Sequence, residues 1–498
     1  MQTNYIFVGV LLVVLLYVAY QSSRRIKTYN DFNLAGRNTG LFALVCTLGA
    51  AEFNTATLIG GASVAYLYGT VGIWYTSLIF IPVFGIYALT VAKRYSRLKI
   101  STIAEFFDKR YQGKNSELLR GIATFVTLSF TWIAPATYLA GLSVIGNVLL
   151  GIHPLWIVIG LTTICLFVSL SGGLLTAIWA DIISYIMILI GMPILFFIGW
   201  KAAGGFSSLP SVFEPQYLSF EPIWDLESFG FAAVLTWCLQ NILLYVAAPW
   251  YGQRIFSAKS EKVAYRGMII NTILITLLYG LVAVATMFSR VVMPNLDKSE
   301  VALPTLILNY TSPFLQGFLL VTLILVGVST MIAIWNSAVS IVINDLYKRY
   351  LAKNKSEKHY IMSSRICFII LGISTIVFAL TFVGNILLAL TYISVFTALL
   401  AFPILAGFYW KRFNTSSALW SLIVGVVYVT IALLNSFPYH LISPIGVLLS
   451  VIVGTIIAFT SKQESTELYI KEFYNVVGSP LIGNKIPIVK DDSFTKVN

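Results

Sequence analysis

Thirteen apolar runs, each near the length of a bilayer crossing, divide the chain: 3–20, 41–69, 72–92, 120–149, 154–171, 175–200, 228–248, 267–289, 313–343, 366–384, 386–410, 417–435 and 445–461. Inside hydrocarbon every backbone N–H and C=O must find a partner within the protein. Runs of about 20 residues in such number therefore predict an all-α integral membrane protein. Composition agrees: 58% of residues are hydrophobic and only 10% are charged, against roughly 25% charged in soluble domains. No basic segment precedes the run at 3–20 and no small-residue cleavage site follows it, which predicts a retained helix.

The net charge of +12 would suit a nucleic-acid binder if it were spread over one surface. It is instead confined to alternate loops. With the N-terminus outside, the inside loops and tail hold 29 of the 32 lysines and arginines, leaving Lys201, Arg290 and Lys298 outside. This bias predicts a multi-pass cell-membrane protein with its C-terminus in the cytoplasm, and no nucleic-acid partner. Apart from Arg120 at the edge of its run, no lysine or arginine falls inside a run, whereas Glu52 and Asp181 do. The reading is an interior with two carboxylates and no protein counter-ion, which take up protons or await cations. An anion carrier would be expected to bury an arginine. The four cysteines lie in apolar runs without a CxxC, the three histidines fall in loops, and no Walker-type phosphate loop occurs. Disulfide framework, zinc site and ATP hydrolysis are thereby disfavoured, and the chain reads as a gradient-driven carrier rather than an enzyme. Residues 201–227 read as an acidic outside loop, and the tail from 462 as polar and poor in pattern.

One run is spoiled as a helix. Gly49, Glu52, Asn54, Thr55, Thr57, Gly60 and Gly61 fall within thirteen positions of 41–69. A carboxylate at membrane depth costs at least ~2.5 kcal/mol and marks an ion or solute path. Glycines beside Asn and Thr predict a helix that opens and frees carbonyls to coordinate a cation. A second polar island, Ser329 and Thr330 after Gly327, lies in the run 313–343. Hydroxyl and carbonyl oxygens suit a monovalent cation that must leave again, although small hydroxylated residues more often serve helix packing. A third island holds a glycine pair, Trp179 and Asp181. A fourth holds Gln240, Asn241 and Pro249, with Gln253 and Arg254 expected to open an inside loop.

Five stretches, AGRNTG (35–40), the interrupted run with Glu52, SGGLLTAIWAD (171–181), QRIFSAKS (253–260) and VGVST…NSA…NDLYKRY (326–350), resemble the sodium:solute symporter family. That family includes sodium-coupled sugar, proline, pantothenate, sialate and choline carriers, and the resemblance spans residues 30–415. It implies a LeuT-like core of two inverted five-helix repeats, 41–200 and 226–412. Around them stand an extra N-terminal helix and loop (1–40), an extracellular loop (201–225), two C-terminal helices (413–461) and a cytoplasmic tail (462–498). It implies a sodium site made by the carbonyls of Ala50, Phe53 and Val326 and the hydroxyls of Ser329 and Thr330. Asp181 matches an acid that serves a second sodium in some members, but Ile332 and Ala333 stand where that site needs hydroxyls.

By the same resemblance Asn54, Thr57, Trp132 and Asn241 face the solute, and Glu52 falls where proline carriers have an acid important for sodium, its own role here left open between sodium, a cationic solute and a proton. Tyr75, Tyr245 and Tyr392 are further candidates for the lining, although such aromatics more often serve packing. Trp132 replaces the arginine of sialate carriers, which argues against an acidic sugar. Choline carriers have a Trp there, yet Glu52 replaces another of theirs and the rest of an aromatic cage is not evident. Sodium-coupled symport of a small neutral, zwitterionic or cationic solute is expected. The alternatives are proton coupling through Glu52 and Asp181, and a membrane sensor on a transporter scaffold.

Overall fold

The computed structural model describes residues 2–219, 231–382 and 394–482, and among these the chain is helical with no sheet. Nine of the described helices are long and apolar enough to cross a membrane, or ten if the bent pair Leu41–Glu52 and Thr57–Tyr68 counts as one crossing. Two further apolar helices, Val234–Ala247 and Ser394–Tyr409, are shorter. Parts of the expected runs 228–248, 366–384 and 386–410 lie outside the described residues, as do Tyr392 and the outer-loop acids Glu221, Asp225 and Glu227.

Helix Pro154–Ala203 joins the expected runs 154–171 and 175–200. Fifty residues of straight helix would reach about 75 Å, more than twice the hydrocarbon thickness. The helix is interrupted instead at Gly172 and Gly173, the latter at φ 53°, ψ −132°. Its contacts describe a return. Ile157 touches Gly146 near one end of helix Ser116–Leu150, and the Leu170 carbonyl accepts from Arg365 Nε at 2.9 Å near the opposite end of the bundle. Gly199 then packs on Ala285 and Phe288, late in helix Glu261–Val292. A β-carbon at Gly173 would stand 2.4 Å from the Phe32 carbonyl, in a backbone region that L-residues avoid. Gly173→Ala is therefore expected to cost about 2 kcal/mol or more. Gly160→Ala has open space around its new methyl and should be neutral or stabilising. Thermal unfolding of the two variants in detergent checks this, and equal midpoints would refute it.

Helix Pro313–Leu351 forms the centre: 94% of its apolar window is buried, against 22% for Gln2–Ser23. The latter turns Tyr5, Ile6, Val10 and Val13 outward, as a lipid-facing helix does. The helix Thr70–Leu98 passes through two π-turns, Trp74–Leu78 and Ala88–Ala92.

The basic loops expected on one side meet at one end of the bundle. Arg37 donates to the carbonyls of Lys99, Ile100 and Phe256. Arg120 pairs with Asp345 at 2.6 Å and with Asp108, and Arg349 with Asp108 and Glu117. Buried Arg110, on the short helix Ile103–Arg110, donates to the carbonyls of Gly407, Trp410, Lys411 and Phe413.

The tail departs from its expected lack of pattern. Residues 467–477 form a helix whose Ile470, Phe473, Tyr474 and Val477 are buried. Their i, i+3, i+4, i+7 spacing makes one apolar stripe. Arg94 binds its end, donating to the carbonyls of Val477, Gly478 and Ser479.

Candidate ion and solute site

The spoiled run is a broken helix. Its halves, Leu41–Glu52 and Thr57–Tyr68, are bent by 59°. Phe53 and Asn54 between them are extended, at φ −67°, ψ 94° and φ −119°, ψ 151°. Asn54 restarts the chain as an N-cap, its Oδ1 accepting from Thr57 N at 2.7 Å while Nδ2 donates to the Glu52 carbonyl at 2.9 Å. Tyr279 stitches the gap: its hydroxyl donates to the Glu52 carbonyl at 3.0 Å and accepts from Asn54 N at 3.2 Å. Its ring stacks on Phe53 at 4.1 Å.

The carbonyls freed by the break face the central helix. Ser329 Oγ lies 3.1 Å from the Ala50 oxygen and 3.2 Å from that of Val326. Thr330 Oγ1 lies 3.2 Å from Ala50 O, 2.9 Å from Phe53 O and 3.0 Å from Val326 O. All five residues are buried. The Val326 carbonyl keeps its helical partner, and the two hydroxyl protons serve the freed Ala50 and Phe53 carbonyls once each, leaving lone pairs on all five oxygens. Such an excess of hard oxygens in a dry site attracts a small cation.

Glu52, buried beside the break, accepts from the Tyr245 hydroxyl through Oε2, while Oε1 has no protein partner. It lines a cavity with Asn54, Thr57, Phe80, Phe130, Tyr138, Trp237, Asn241, Leu244, Tyr245, Trp250 and Ser394. The free volume is about 20 Å³, room for one water. Among the described residues the space is too small for an organic solute in this conformation.

Of the residues expected at the solute, Glu52, Asn54, Thr57 and Asn241 are on this wall. Asn241 Nδ2 donates to the Trp237 carbonyl at 2.8 Å. Tyr75 stands one layer back, its ring stacked on Trp237 at 5.1 Å and its carbonyl accepting from the indole at 3.2 Å. Trp132 is half-buried and outside the lining. The wall has more aromatic rings than the sequence made evident. Phe130 stacks on Trp250 at 4.9 Å, and Tyr245 meets Trp250 edge-on at 5.9 Å. Trp250 arrives through a second break: Ala248 is extended between helices Phe231–Ala247 and Pro249–Ser257. Pro249 was its signal.

That second break also overturns the expectation that the interior acids lack a counter-ion. Helix Pro249–Ser257 does not open into a loop but stays buried along its whole length. It carries Arg254 to Asp181, with Nη2 donating to Oδ2 at 2.9 Å and Nε to Thr47 Oγ1 at 2.8 Å. Thr47 in turn donates to Asp181. Asp181 is thus an ion-paired carboxylate remote from the five-oxygen cluster in its bonding, with Oδ1 unpartnered.

The sodium:solute symporter family model matches residues 32–425. Among curated proteins, the osmoregulated proline transporter OpuE of Bacillus subtilis (strain 168) is 24% identical over 93% of this chain and 96% of its own length. The sodium/pantothenate symporter of Escherichia coli (strain K12) is 26% identical over 85% and 89%. Among solved structures, a Na+-coupled sialic acid symporter in a substrate-bound outward-open state superposes with a TM-score of 0.79 at 19% identity, covering 93% of this chain and 99% of that one. At that identity the likeness is one of fold, the LeuT-like transporter fold.

Proposed function

The chain belongs to the sodium:solute symporter family, a family of transporters with sodium as the coupling ion, and from that premise we propose how this chain couples ion to solute. Sodium binds the five oxygens of Ala50, Phe53, Val326, Ser329 and Thr330 and is carried with a small neutral, zwitterionic or cationic organic solute held in the adjoining cavity. The observation that carries this reading is the oxygen cluster, which joins the break at Phe53–Asn54 to the central helix. An ion there bridges two elements that alternating access must move apart. Its differential affinity for the open and closed arrangements is the coupling energy. One inward charge adds about 2.3 kcal/mol per 100 mV of membrane potential, roughly fifty-fold accumulation of a neutral solute.

The topology in this reading has thirteen crossings. Helix Pro154–Ala203 counts twice about Gly172–Gly173, and the two shorter apolar helices once each beside the ten. The N-terminus is outside and the C-terminus cytoplasmic, supported by the meeting of the basic loops at one end. Two inverted repeats, 41–200 and 226–412, each open on a broken helix, which the second break at Ala248 supports. Asp181 is held by Arg254 as part of the scaffold, and a second sodium there would have to share the carboxylate with that guanidinium.

A thermal-shift screen of metabolites on the purified protein, in sodium and in potassium at equal ionic strength, tests the coupling. The expected result is stabilisation by sodium alone and solute shifts seen only in sodium. Solute shifts that ignore sodium but follow a pH step would replace this reading with proton coupling through Glu52.

A further inference from the structure

The solute cavity combines one carboxylate with a wall of aromatic faces, and on that ground we propose that the transported solute is a small organic cation whose ammonium group sits opposite Glu52. This rests on the symporter reading above. Three observations carry it.

The first is the state of Glu52. Its side chain is 1% exposed, Oε2 is engaged by Tyr245, and Oε1 is the one buried polar atom of the described lining without a protein partner. A buried carboxylate in want of a partner is costly, and a cation offsets that cost best. The second is the wall. Phe130, Tyr138, Trp237, Tyr245 and Trp250 surround the same space, with the rings of Phe130 and Tyr245 each in contact with Trp250. Ring faces are electron-rich, so they attract an ammonium group and repel a carboxylate. The third is what the wall does not offer. No lysine, arginine or histidine is among the described lining residues. Both amide atoms of Asn54 are engaged within the broken helix, as is the Asn241 donor. A sugar could bond Oε1 and the hydroxyls of Thr57 and Tyr138, but neutral hydroxyls offset the charge of a buried carboxylate less well than an ammonium group does.

Binding of three probes to the sodium-loaded full-length protein tests this: choline, its neutral carbon isostere 3,3-dimethylbutan-1-ol, and D-glucose, each followed by thermal shift and tryptophan fluorescence. Choline is expected to bind roughly thirtyfold more tightly than the isostere. In Glu52→Gln, which keeps an acceptor for Tyr245, the preference should collapse while stabilisation by sodium persists. In Trp250→Leu the preference should shrink. A preference for the isostere or glucose, no choline binding at millimolar concentration, or an undiminished preference in Glu52→Gln overturns the proposal. If stabilisation by sodium is itself missing from the wild-type protein, the symporter reading fails instead, so the two failures are distinct.

Discussion

Replacing Ser329 and Thr330 together by alanine abolishes sodium-specific stabilisation while leaving a folded protein. The two hydroxyls supply two of the five converging oxygens and both of the cluster's hydroxyl protons. Without an ion their hydrogen bonds to carbonyls are neutral, and each contributes only about 1 kcal/mol. Facing a cation, each is a charge–dipole contact of about 1.5–3 kcal/mol, so removing both weakens sodium binding by more than about a hundredfold. The single variants should fall between. The measurement is the sodium concentration for half-maximal thermal stabilisation, with potassium as the ionic-strength control. An unchanged value in the double variant would remove these residues from the site.

Arg254→Leu should be the most damaging single substitution in the scaffold. It leaves Asp181 buried with no counter-ion and strips Thr47 of a donor. Breaking a buried pair from one side costs about 3–5 kcal/mol. The loss should show as reduced folded yield and a lower thermal midpoint in detergent. Arg254→Leu combined with Asp181→Asn removes both charges and should recover much of it. If the double variant is as unstable as the single, the ion pair is not the cause. If Asp181→Asn alone alters the steepness of sodium stabilisation, Asp181 serves an ion after all.

The break around Glu52–Thr57 and the pair Ser329–Thr330 are legible because they interrupt apolar sequence, whereas Ala50, Phe53 and Val326 come only from the family resemblance. Gly49 precedes Ala50, Glu52 and Asn54 flank Phe53, and Ser329–Thr330 is a polar pair in an otherwise apolar run. The aromatic wall is not legible, because an aromatic residue in a transmembrane run looks alike whether it faces lipid or a cavity. Trp132 and Phe130 show the difficulty: two positions apart, they point about 200° away from each other around the helix. Phe130 lines the cavity and Trp132 does not. Arg254 reads as a loop residue because a charge past a proline suggests a helix end. Nothing local reports that the chain resumes as a buried helix. Helix Glu467–Val477, by contrast, carries its apolar stripe openly, and a heptad-scale reading of that short stretch would have found it.

The clasp between that helix and Arg110 bears on how the protein is made. Tyr474 and Arg110 meet across 364 residues of chain, and Tyr474 and Arg110 both donate to the Gly407 carbonyl, at 3.0 and 2.8 Å. During synthesis the loop carrying Arg110 leaves the ribosome long before either partner exists. Its guanidinium must stay hydrated until residues 407–413 are made, and Tyr474 closes over it later still. The floor of the bundle is therefore assembled last. A ribosome that stops short of residue 467 releases a chain that has every described helix of membrane-crossing length but lacks the helix that closes this end.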